Sequence, residues 1–330
     1  MIPSPEDHAE HRGSTPEPLG SSVCAVIVTY QPDADFVEWI QDFSTTVGKA
    51  FIIDNGSETR SLQQLESLRS QPNMTLQRNK NNLGLGVALN QGIKLAVEAG
   101  FPWILTLDQD SRPAAGMLPA LLEAYHSSPG ADSIALIAPV LEDETIAYRY
   151  RSLIAPNRWF FRRQTCDTGV LEDVLMVLHS GALHNARVLE GLGGFREDFF
   201  IDYLDTEYCL RARLAGFRIL VACEARIQHR LGDRQRRRLG PFTLFPTFHS
   251  PQRWYTISRN RIAMLRLYMR RLPNWFFFEI SSSLFIILRM LLLEDHRGLK
   301  LKALVRGTMD GLRRRMGPIP ADVQAMLERT

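Results

Sequence analysis

The sequence contains little cysteine, with four such residues among 330: Cys24, Cys166, Cys209 and Cys223. No two of them form the C-x-x-C pair that zinc ribbons and many metal-binding modules require. The spacing therefore favours neither a zinc ribbon nor a disulfide framework. Free thiols are typical of a reducing compartment, so we expect a cytoplasmic setting.

A hydrophobic leader is also missing from the first 20 residues. Residues 1–20 are rich in proline, glutamate, serine and glycine, and they contain no apolar run of the kind found in a signal peptide. Such a composition cannot bury enough apolar surface to fold, so it predicts a disordered tail. Repeats at a solenoid period are absent as well, and the 45% hydrophobic content is ample for a globular core.

The net charge of +3 hides a strong asymmetry between the two parts of the chain. Residues 1–210 hold 15 basic and 28 acidic residues, whereas residues 211–330 hold 24 basic and 8 acidic ones. The basic part predicts a polyanionic partner, either a nucleic acid or an anionic membrane surface. No nucleic-acid-binding signature accompanies the charge, so we expect no nucleic acid and favour the membrane.

Apolar runs alternate with amphipathic segments in the first half of the chain. Continuous β-branched runs at 23–30 and 50–57 predict buried parallel strands, and the helical spacing between them completes a βαβ unit. Further strands are predicted at 74–79, 103–110 and 133–141. This alternation predicts an α/β fold with a mainly parallel, twisted sheet, in which ligands bind at the carboxyl ends of strands.

Two carboxylates end the strand predicted at 103–110, in the run LDQDS. Asp108 and Asp110 would repel each other at this spacing unless a cation lies between them or one of them titrates abnormally. A bare D-x-D is most often a solvated turn, but its place after a buried strand favours a functional site. A divalent cation takes carboxylate oxygens and keeps positions for phosphate oxygens, so the hypothesis is a metal–phosphate site.

Two further stretches have roles that the residues alone leave open. Gly84 and Gly86 could begin a helix over a diphosphate, although no complete G-x-G-x-x-G or P-loop pattern is present and helix packing explains them equally well. Asp202, Asp205 and Glu207 crowd the start of an amphipathic helix. They supply either a general base or negative charge that favours the helix N-terminus.

His229 and the segment 180–195 also admit two interpretations. His229 follows a strand-like segment, where it is either structural or the ligand that completes a metal shell begun by carboxylates. Residues 180–195 predict a loop that leads into a short helix. That loop either faces a substrate or only connects its neighbours.

These stretches, in this order, resemble the inverting glycosyltransferases of family 2. The resemblance covers roughly residues 23–265 and rests on AVIVTYQPD, IIDNGS, NNLGLGVALNQGI, LDQDS, SGALHNARVLEGLGGF, FIDYLDTEYCLRARLAGF and HRLG. The sequence is most similar to bacterial L-rhamnosyltransferases, which share LDQDS, most of the FIDYLDTEYCLRA block and RWYTISRNRI. The resemblance implies a GT-A, Rossmann-like nucleotide-sugar-binding domain over 21–232, dTDP-L-rhamnose as donor and Mg²⁺ or Mn²⁺ as cofactor.

The resemblance also implies roles for individual residues. Asp108, Asp110 and His229 match a metal-binding set in which Asp110 is the more direct ligand. The base motif of relatives aligns with residues 204–207, so Asp205 is implied as the general base, and the acids nearest to it, Asp202 and Glu207, are alternatives. The residues implied in binding the nucleotide sugar are Thr29, Tyr30, Pro32, Asp54, Asn55, Asn82, Gly84, Asn90, Asp108 and Gln109.

Residues 233–330 are predicted to form a basic, helical, membrane-proximal region. The neighbouring stretch 230–240 contains five arginines, and 274–293 is strongly apolar but carries Glu279 and Arg289. A bilayer-spanning helix needs about 20 apolar residues, so two internal charges favour an interfacial helix instead. The alternative is a helix buried in a small subdomain or in the contact of a homo-oligomer.

We therefore expect a peripheral protein on the cytoplasmic face of the inner membrane. Its expected acceptor is a lipid-linked glycan precursor or a glycolipid such as a mono-rhamnolipid. One alternative is a family 2 transferase that uses another nucleotide sugar. A sugar nucleotidyltransferase would need a glycine-rich basic loop that TYQPDADF lacks, and the intact set of acids argues against a non-catalytic scaffold.

Overall fold

A computed structural model describes residues 20–143, 148–229, 237–239, 242–244 and 248–328. Residues 1–19 of the predicted tail and most of the arginine-rich stretch 230–240 lie outside the described residues. The strands are β1 (Val23–Thr29), β2 (Lys49–Asp54), β3 (Met74–Arg78), β4 (Trp103–Asp108), β5 (Arg112–Pro113), β6 (Ile134–Asp143), β7 (Tyr148–Arg149), β8 (Ser152–Ile154), β9 (Arg162–Gln164), β10 (Val170–Leu171), β11 (Val174–Met176), β12 (Leu183–Asn185), β13 (Arg218–Gln228), β14 (Arg237–Leu239) and β15 (Phe242–Leu244).

Helices connect these strands and form the C-terminal part of the chain. They are α1 (Phe36–Ser44), α2 (Thr59–Glu66), α3 (Leu85–Glu98), α4 (Met117–Ser127), α5 (Ala186–Gly191), α6 (Leu204–Leu214), α7 (Pro251–Tyr268), α8 (Pro273–Leu293), α9 (Arg297–Leu312) and α10 (Ala321–Glu328). The strands and helices predicted in the first half of the chain are all present. Their bounds differ from the predicted ones by a few residues at most.

A central sheet joins ten strands of the described chain. Its order is β10-β13-β6-β12-β4-β1-β2-β3, with β5 and β7 paired at the margin to β13 and β6. The pairs β1–β2, β1–β4, β2–β3 and β6–β13 are parallel, whereas β12 is antiparallel to both of its neighbours. The predicted α/β fold with a mainly parallel sheet is confirmed.

Helices cover both faces of the central sheet, which explains why its strands read as continuous apolar runs. Every residue of β1 is buried, and successive residues belong to different cores. Val26 and Val28 pack into the cluster that contains α3 and α6 residues, and Ala25 and Ile27 pack into the cluster that contains α1 and α4 residues. A strand that is buried on both faces lacks the alternation of apolar and polar residues that a half-exposed strand has.

The register of β1, β2 and β4 brings the predicted site residues to one edge of the sheet. Thr29 at the end of β1 is opposite Asp54 at the end of β2, and Val28 is opposite Asp108 at the end of β4. The carboxyl ends of three neighbouring parallel strands therefore meet. The fold places both polar strand ends at the edge where α/β sheets bind ligands.

The prediction of a loop over 180–195 is wrong for its middle part. Residues 183–185 form β12, which fills the gap between β4 and β6. A strand of three residues is too short to show an alternating pattern. Its neighbours in the sheet, which are distant in sequence, decide its conformation. The short helix predicted after it is present as α5.

The cysteine spacing suggested no disulfide framework, but the structure contains one disulfide bond. Cys166 and Cys223 form a disulfide across a sequence separation of 57 residues, while Cys24 and Cys209 are free and buried. Cys223 lies in β13, and the segment after Cys166 leads into β10, which pairs with β13. Sequence spacing could not reveal this pair, because the sheet alone brings the two cysteines together.

The predicted C-terminal helices are present: the described residues of this part contain four helices, and also the short hairpin β14–β15 that the sequence did not predict. Helices α7 and α9 cross so closely that a side chain on Gly307 would collide with the carbonyl oxygen of Tyr255. Helix α8 is 21 residues long and apolar enough, by length and composition, to cross a membrane. One face of α8 nevertheless packs on the protein, through Trp275, Glu279 and Ser283.

Candidate active site

A cavity of about 1130 Å³ lies at the carboxyl ends of β1, β2 and β4. Strand ends form one side of it, and residues of α6, of the β7–β8 region and of α8 form the others. The predicted site residues that line it are Tyr30, Asn55, Asn82, Asp108, Gln109, Asp110, Asp202, Asp205 and His229. The proposed metal-binding and base motifs, which are far apart in sequence, therefore face one shared space.

Asp108 is held by a histidine that the sequence analysis missed. The Nε2 atom of His179 lies 3.0 Å from Oδ1 of Asp108, and both residues line the cavity. Burial alone would raise the pKa of Asp108, but the charge and hydrogen bond of His179 outweigh it and lower the pKa to about 2. Burial likewise opposes protonation of His179, and Asp108 overcomes it and raises the histidine pKa to about 9. The two side chains form a partly buried ion pair.

A sequence signal for His179 did exist. It immediately precedes SGALHNARVLEGLGGF, one of the stretches that carry the family resemblance. The backbone around it is fixed, because the Thr106 hydroxyl donates to the carbonyl oxygen of His179 at 2.5 Å. Its position next to a motif, and not residue type alone, was the available clue.

Asp110 has a different environment from Asp108. It follows the end of β4, its side chain is half exposed, and its Oδ1 lies 3.5 Å from Nδ1 of His229. Burial raises the pKa of Asp110; the charge of His229 works against this, and the negative charge of Asp108 adds to it. The Ser111 hydroxyl lies 2.7 Å from the same Nδ1 of His229, which fixes the orientation of the ring.

Asp108, Asp110 and His229 form a donor set that fits a divalent cation. Each residue offers one ligand atom, and these atoms lie within 4.8 Å of one another. Two carboxylates with one imidazole leave coordination positions for phosphate oxygens, as the implied Mg²⁺ or Mn²⁺ requires. The arrangement of the three residues agrees with the sequence prediction of a metal site.

Asp205 lies in the first turn of α6, facing the cavity. Burial raises its pKa, and this outweighs the opposing charge of His179. One of its oxygens, Oδ1, accepts a hydrogen bond from the Thr206 backbone N–H at 2.7 Å. A carboxylate with a raised pKa that faces a cavity has the properties of a general base.

Asp202, the alternative base, has both carboxylate oxygens engaged. Arg253 donates to its Oδ1 at 2.6 Å, and the Thr256 hydroxyl donates to its Oδ2 at 2.6 Å. Both partners belong to α7. Asp202 therefore joins the segment before α6 to α7, and Asp205 is the better candidate for the base.

Glu207, the third predicted acid, lies outside the cavity wall. It is buried, it pairs with Arg211 at 2.8 Å, and the Tyr268 hydroxyl donates to its Oε1 at 2.7 Å. This side chain holds α6 against the end of α7. The arrangement indicates a structural role and not a catalytic one.

The backbone that leads into the Asp205 helix adopts an uncommon conformation. Phe200, Asp202 and Tyr203 all have positive φ angles, between 65° and 68°. Side-chain amides and guanidinium groups of α7 hold this base loop (residues 199–203). Asn260 donates to the carbonyl oxygens of residues 199, 201 and 202 at 3.0, 2.7 and 3.1 Å, and Arg259 donates to that of residue 199 at 3.1 Å. We call Arg259 and Asn260 the α7 clamp.

The residues at the end of β2 form a closed polar network. The Thr29 hydroxyl donates to Oδ1 of Asp54, and the Ser57 backbone N–H donates to Oδ2 of the same carboxylate. The Asn55 amide donates to Asn82 at 3.0 Å. Thr29 and Asp54 are fully buried, so they support the cavity wall, whereas Asn55 and Asn82 lie on it.

Tyr30 and Gln109 join the tips of β1 and β4. The Tyr30 backbone N–H donates to the Gln109 side chain at 2.8 Å, and the Gln109 amide donates back to the Tyr30 carbonyl oxygen at 3.1 Å. The tyrosine ring itself is half exposed at the cavity. Pro32 is buried in the turn that follows and does not line the cavity.

Gly84 and Asn90 contact protein segments and do not line the cavity. A Cβ on Gly84 would lie 2.7 Å from the Phe200 ring, and the N–H of Leu85 donates to the Phe200 carbonyl oxygen at 2.6 Å. The start of α3 is therefore packed on the base loop. Asn90 exchanges two hydrogen bonds of 2.8 Å with the backbone of Phe195.

Comparison with known proteins agrees with this arrangement. Residues 49–190 match the family described as Glycosyl transferase family 2. The dTDP-rhamnosyl transferase RfbF of Shigella flexneri is 27% identical over 250 residues, which cover 75% of this chain and 81% of that protein.

Solved structures share the fold at low sequence identity. A mannosyltransferase, PcManGT from Pyrobaculum calidifontis, in complex with GDP-Man and Mn²⁺, is 14% identical with a TM-score of 0.53, over 92% of this chain and 78% of that chain. TarS 1-349 of S. aureus, in complex with UDP-GlcNAc, is 16% identical with a TM-score of 0.51, over 92% and 83%. The chain spans 50% of a longer TarS structure and 42% of a GalNAc-T7 structure.

The family match over residues 49–190 and the similarity to RfbF support a glycosyltransferase, and the fold is like that of GT-A-like structures. More particularly, the glycosyltransferase family 2 match runs from β2 into α5. Asp108, Asp110 and His179 lie inside that match. Asp205 and His229 lie beyond it, and the structure is what brings them to the same cavity.

Proposed function

We propose that the protein transfers L-rhamnose from dTDP-L-rhamnose to a hydroxyl group of a glycolipid or lipid-linked glycan, with inversion at the anomeric carbon. The observation that carries the proposal is the common cavity of the Asp108–Asp110–His229 set and Asp205. The family match over residues 49–190 supports glycosyl transfer, and the similarity to RfbF supports the choice of donor.

Asp205 is the proposed general base. It takes the proton of the acceptor hydroxyl while the hydroxyl oxygen bonds to the anomeric carbon, and the nucleoside diphosphate leaves with the electrons of the broken C–O bond. A divalent cation bound by Asp108, Asp110 and His229 would neutralise the charge on that leaving group. His179 keeps Asp108 ionised and oriented. Tyr30 and Gln109 form the wall between the two strand ends.

The donor assignment has one specific alternative, which is another nucleotide sugar. The fold neighbours were solved with UDP-GlcNAc and with GDP-Man, so this architecture accommodates more than one donor. We favour dTDP-L-rhamnose because RfbF, which is similar over most of both chains, is a dTDP-rhamnosyl transferase. The donor can be tested without knowledge of the acceptor.

The proposed acceptor class follows from α8. Its exposed side includes Phe277, Leu284, Leu288 and Leu291, while Glu279 on the opposite side is buried against Arg261 at 2.9 Å. A helix that is fixed to the protein along one face and apolar along the other fits a position in the membrane interface. We therefore propose a peripheral protein at an anionic membrane surface, on the cytoplasmic side of the inner membrane.

The donor assay uses dTDP-L-rhamnose, UDP-GlcNAc and GDP-Man, each with Mg²⁺ or Mn²⁺, and measures hydrolysis without acceptor. We expect the fastest turnover with dTDP-L-rhamnose and none in the presence of a chelator. Faster turnover of another donor would replace the proposed sugar while leaving the reaction class intact. Release of pyrophosphate from dTTP and a sugar phosphate would indicate a nucleotidyltransferase instead.

Two substitutions test the residue roles. Asp205→Asn should lower kcat by about 10²- to 10⁴-fold, the usual contribution of a general base, and should leave dTDP binding intact. Asp110→Ala should lower the affinity for the cation and thereby the activity. Asp132→Asn, the same chemical change at an exposed position outside the cavity, is the matched control. Full activity of Asp205→Asn would remove the assignment of the base.

A further inference from the structure

The loop between β8 and β9 exposes two neighbouring aromatic side chains. In this aromatic loop (residues 155–161), Trp159 is 57% exposed and Phe160 is 69% exposed. Isolated exposed apolar residues are common, but adjacent exposed aromatic rings at a loop tip are typical of binding surfaces and of membrane interfaces. The catalytic cavity does not use either ring.

Hydrogen bonds hold the aromatic loop in its extended position. The Asn157 side chain accepts from the backbone N–H groups of Trp159 and Phe160 at 2.9 and 3.0 Å. Asn274, which is buried in the first turn of α8, donates to the carbonyl oxygen of Asn157 at 2.8 Å. Its backbone N–H also donates to the carbonyl oxygen of Arg158 at 3.0 Å. The exposure of the two rings is therefore a fixed feature of the structure.

The aromatic loop is continuous with the apolar side of α8. The Phe161 ring packs against the Phe278 ring with centroids 5.6 Å apart, and the Arg163 guanidinium lies 5.9 Å from the centroid of that same ring. Phe277, the next residue of α8, is half exposed. The loop of the catalytic domain and the helix thus form one apolar surface.

The charged residues nearest in sequence to the aromatic loop, and those where α7 meets α8, are all basic. The flanking arginines are Arg158, Arg162, Arg163, Arg270 and Arg271, all of which are exposed. None of them forms an ion pair with a carboxylate of the described residues. Arg158 also reaches the carbonyl oxygen of Arg270 at 3.4 Å, which places the end of α7 beside the loop. Aromatic rings bordered by free cations match a surface whose apolar interior lies beneath anionic headgroups.

We propose that the aromatic loop is a second membrane-contact element, in which Trp159 and Phe160 enter the interface of an anionic bilayer beside α8. Arg158, Arg162 and Arg163 contact lipid phosphates. This inference rests on the proposed membrane association and extends it from the C-terminal helices to the catalytic domain. A second copy of the chain fits this surface poorly, because a two-fold contact would set its uncompensated arginines against each other.

The contact would also direct the catalytic cavity towards the lipid. Arg163, Phe278, Phe285 and Ile286 line the cavity as well as lying beside the apolar surface. With the loop and α8 both in the interface, this wall of the cavity faces the headgroups. A membrane-embedded acceptor could then present its hydroxyl to Asp205 without leaving the bilayer.

Intrinsic tryptophan fluorescence tests the proposal, because Trp159 is the exposed reporter. Trp103, Trp254 and Trp275 are buried, and Trp39 is half-buried beneath Arg112. Vesicles of phosphatidylcholine with phosphatidylglycerol should shift the emission to the blue, and brominated lipid should quench it. Trp159→Phe should bind the same vesicles in a sedimentation assay but lose the shift and the quenching.

Variants distinguish the loop from α8. A Trp159→Ser, Phe160→Ser double variant, or Arg158→Gln with Arg162→Gln, neither of which lines the cavity, should weaken vesicle binding by about tenfold or more, since each interfacial cation contributes about 1 kcal/mol. Donor hydrolysis without acceptor should stay at the wild-type rate in both. Leu288→Ser on α8 is the control that weakens binding while the residual bound protein keeps the Trp159 shift.

Each outcome decides the question. Vesicle binding without a Trp159 shift, together with wild-type binding of the serine variant, would overturn the loop contact and leave the α8 association standing. Failure of the wild-type protein to bind vesicles would overturn both. A concentration-dependent blue shift without lipid would assign the surface to a second copy. None of these results affects the test of glycosyl transfer, which uses soluble donor alone.

Discussion

Removal of the Asn260 side chain should lower kcat and leave donor binding unchanged. The residue donates to three carbonyl oxygens of the base loop, which directly precedes Asp205. Asn260→Ala deletes these bonds without touching the cavity, because Asn260 is buried and does not line it. The variant therefore tests whether the α7 clamp positions the base.

The expected change in the free energy of unfolding of Asn260→Ala depends on two opposing contributions, the backbone strain of the base loop and the hydrogen bonds that hold it. The sparsely populated positive-φ conformations at Phe200, Asp202 and Tyr203 cost about 1–3 kcal/mol each, and so at least roughly 3 kcal/mol together. The Asn260 amide has two N–H groups to share among three carbonyl oxygens, and net hydrogen bonds contribute about 1 kcal/mol each. Buried carbonyl oxygens left unpaired cost about 1–3 kcal/mol apiece, so the variant should lose about 2–4 kcal/mol. This loss of stability is comparable with the backbone strain of the three positive-φ residues. We therefore expect the base loop to adopt a less strained conformation in Asn260→Ala.

A relaxed base loop should affect kcat and spare KM for the donor. Displacement of a catalytic group by about 1 Å can cost about 10²-fold in rate, and we expect a loss of that order. The cavity wall at Tyr30, Asn55 and Gln109, where we propose that the donor binds, does not include Asn260. Steady-state kinetics of transfer, and urea unfolding of the same samples, give the two quantities. Asn260→Asp keeps the shape of the side chain but loses its N–H donors, so it should lose at least as much kcat and stability as Asn260→Ala.

The matched control is Asn274→Ala, a second buried asparagine whose amide also holds a loop carbonyl oxygen. It should lose stability to a similar degree while keeping kcat in the soluble assay. If Asn260→Ala loses stability but keeps wild-type kcat, the clamp does not position the base and the argument is refuted. Equal kcat losses in both variants would show only a general effect of destabilisation.

Two further measurements test the buried core. Burial lowers the pKa of His184 to about 3, so between pH 6.5 and 3 the unfolded chain binds a proton that the folded chain excludes. The free energy of unfolding should therefore decrease as the pH is lowered through that window, by about 1.4 kcal/mol per pH unit. His184→Gln should reduce this pH dependence in urea titrations. The Cys166–Cys223 disulfide closes 57 residues, which corresponds to at most about 4 kcal/mol, so Cys223→Ser should unfold at lower urea. Labelling of all four thiols in unfolded, unreduced protein would contradict the bond.

The sequence was sufficient where local pattern and buried environment agree. The strands ending at Asp54 and Asp108 are covered by helices on both faces, so their apolar runs are unambiguous. Parallel pairing then requires their polar ends to meet, which is why the Asp108–Asp110 site could be predicted. The family resemblance added Asp205 and His229, which no local pattern would have joined to that site.

The sequence was insufficient where distant segments determine a residue's role. Asp202 and Glu207 cannot be told from Asp205 by sequence alone, and only their hydrogen bonds to α7 indicate structural roles for them. The strand β12 and the Cys166–Cys223 bond exist because the sheet brings remote segments together. The aromatic loop carries no repeat or motif, and its meaning depends on its contact with α8.

The surroundings of Asp108 and Asp110 explain how the fold tolerates the repulsion between these two carboxylates. Asp108 has a charged partner, His179, at 3.0 Å, and its pKa is lowered, whereas the pKa of Asp110 is raised. One carboxylate is thus already compensated by the protein, and the uncompensated charge is concentrated on the other. A divalent cation gains most where compensation is incomplete, so it should bind Asp110 more directly than Asp108. We propose that the protein thereby folds around Asp108 without a cation and binds one at Asp110, on the side where Asp205 shares the cavity.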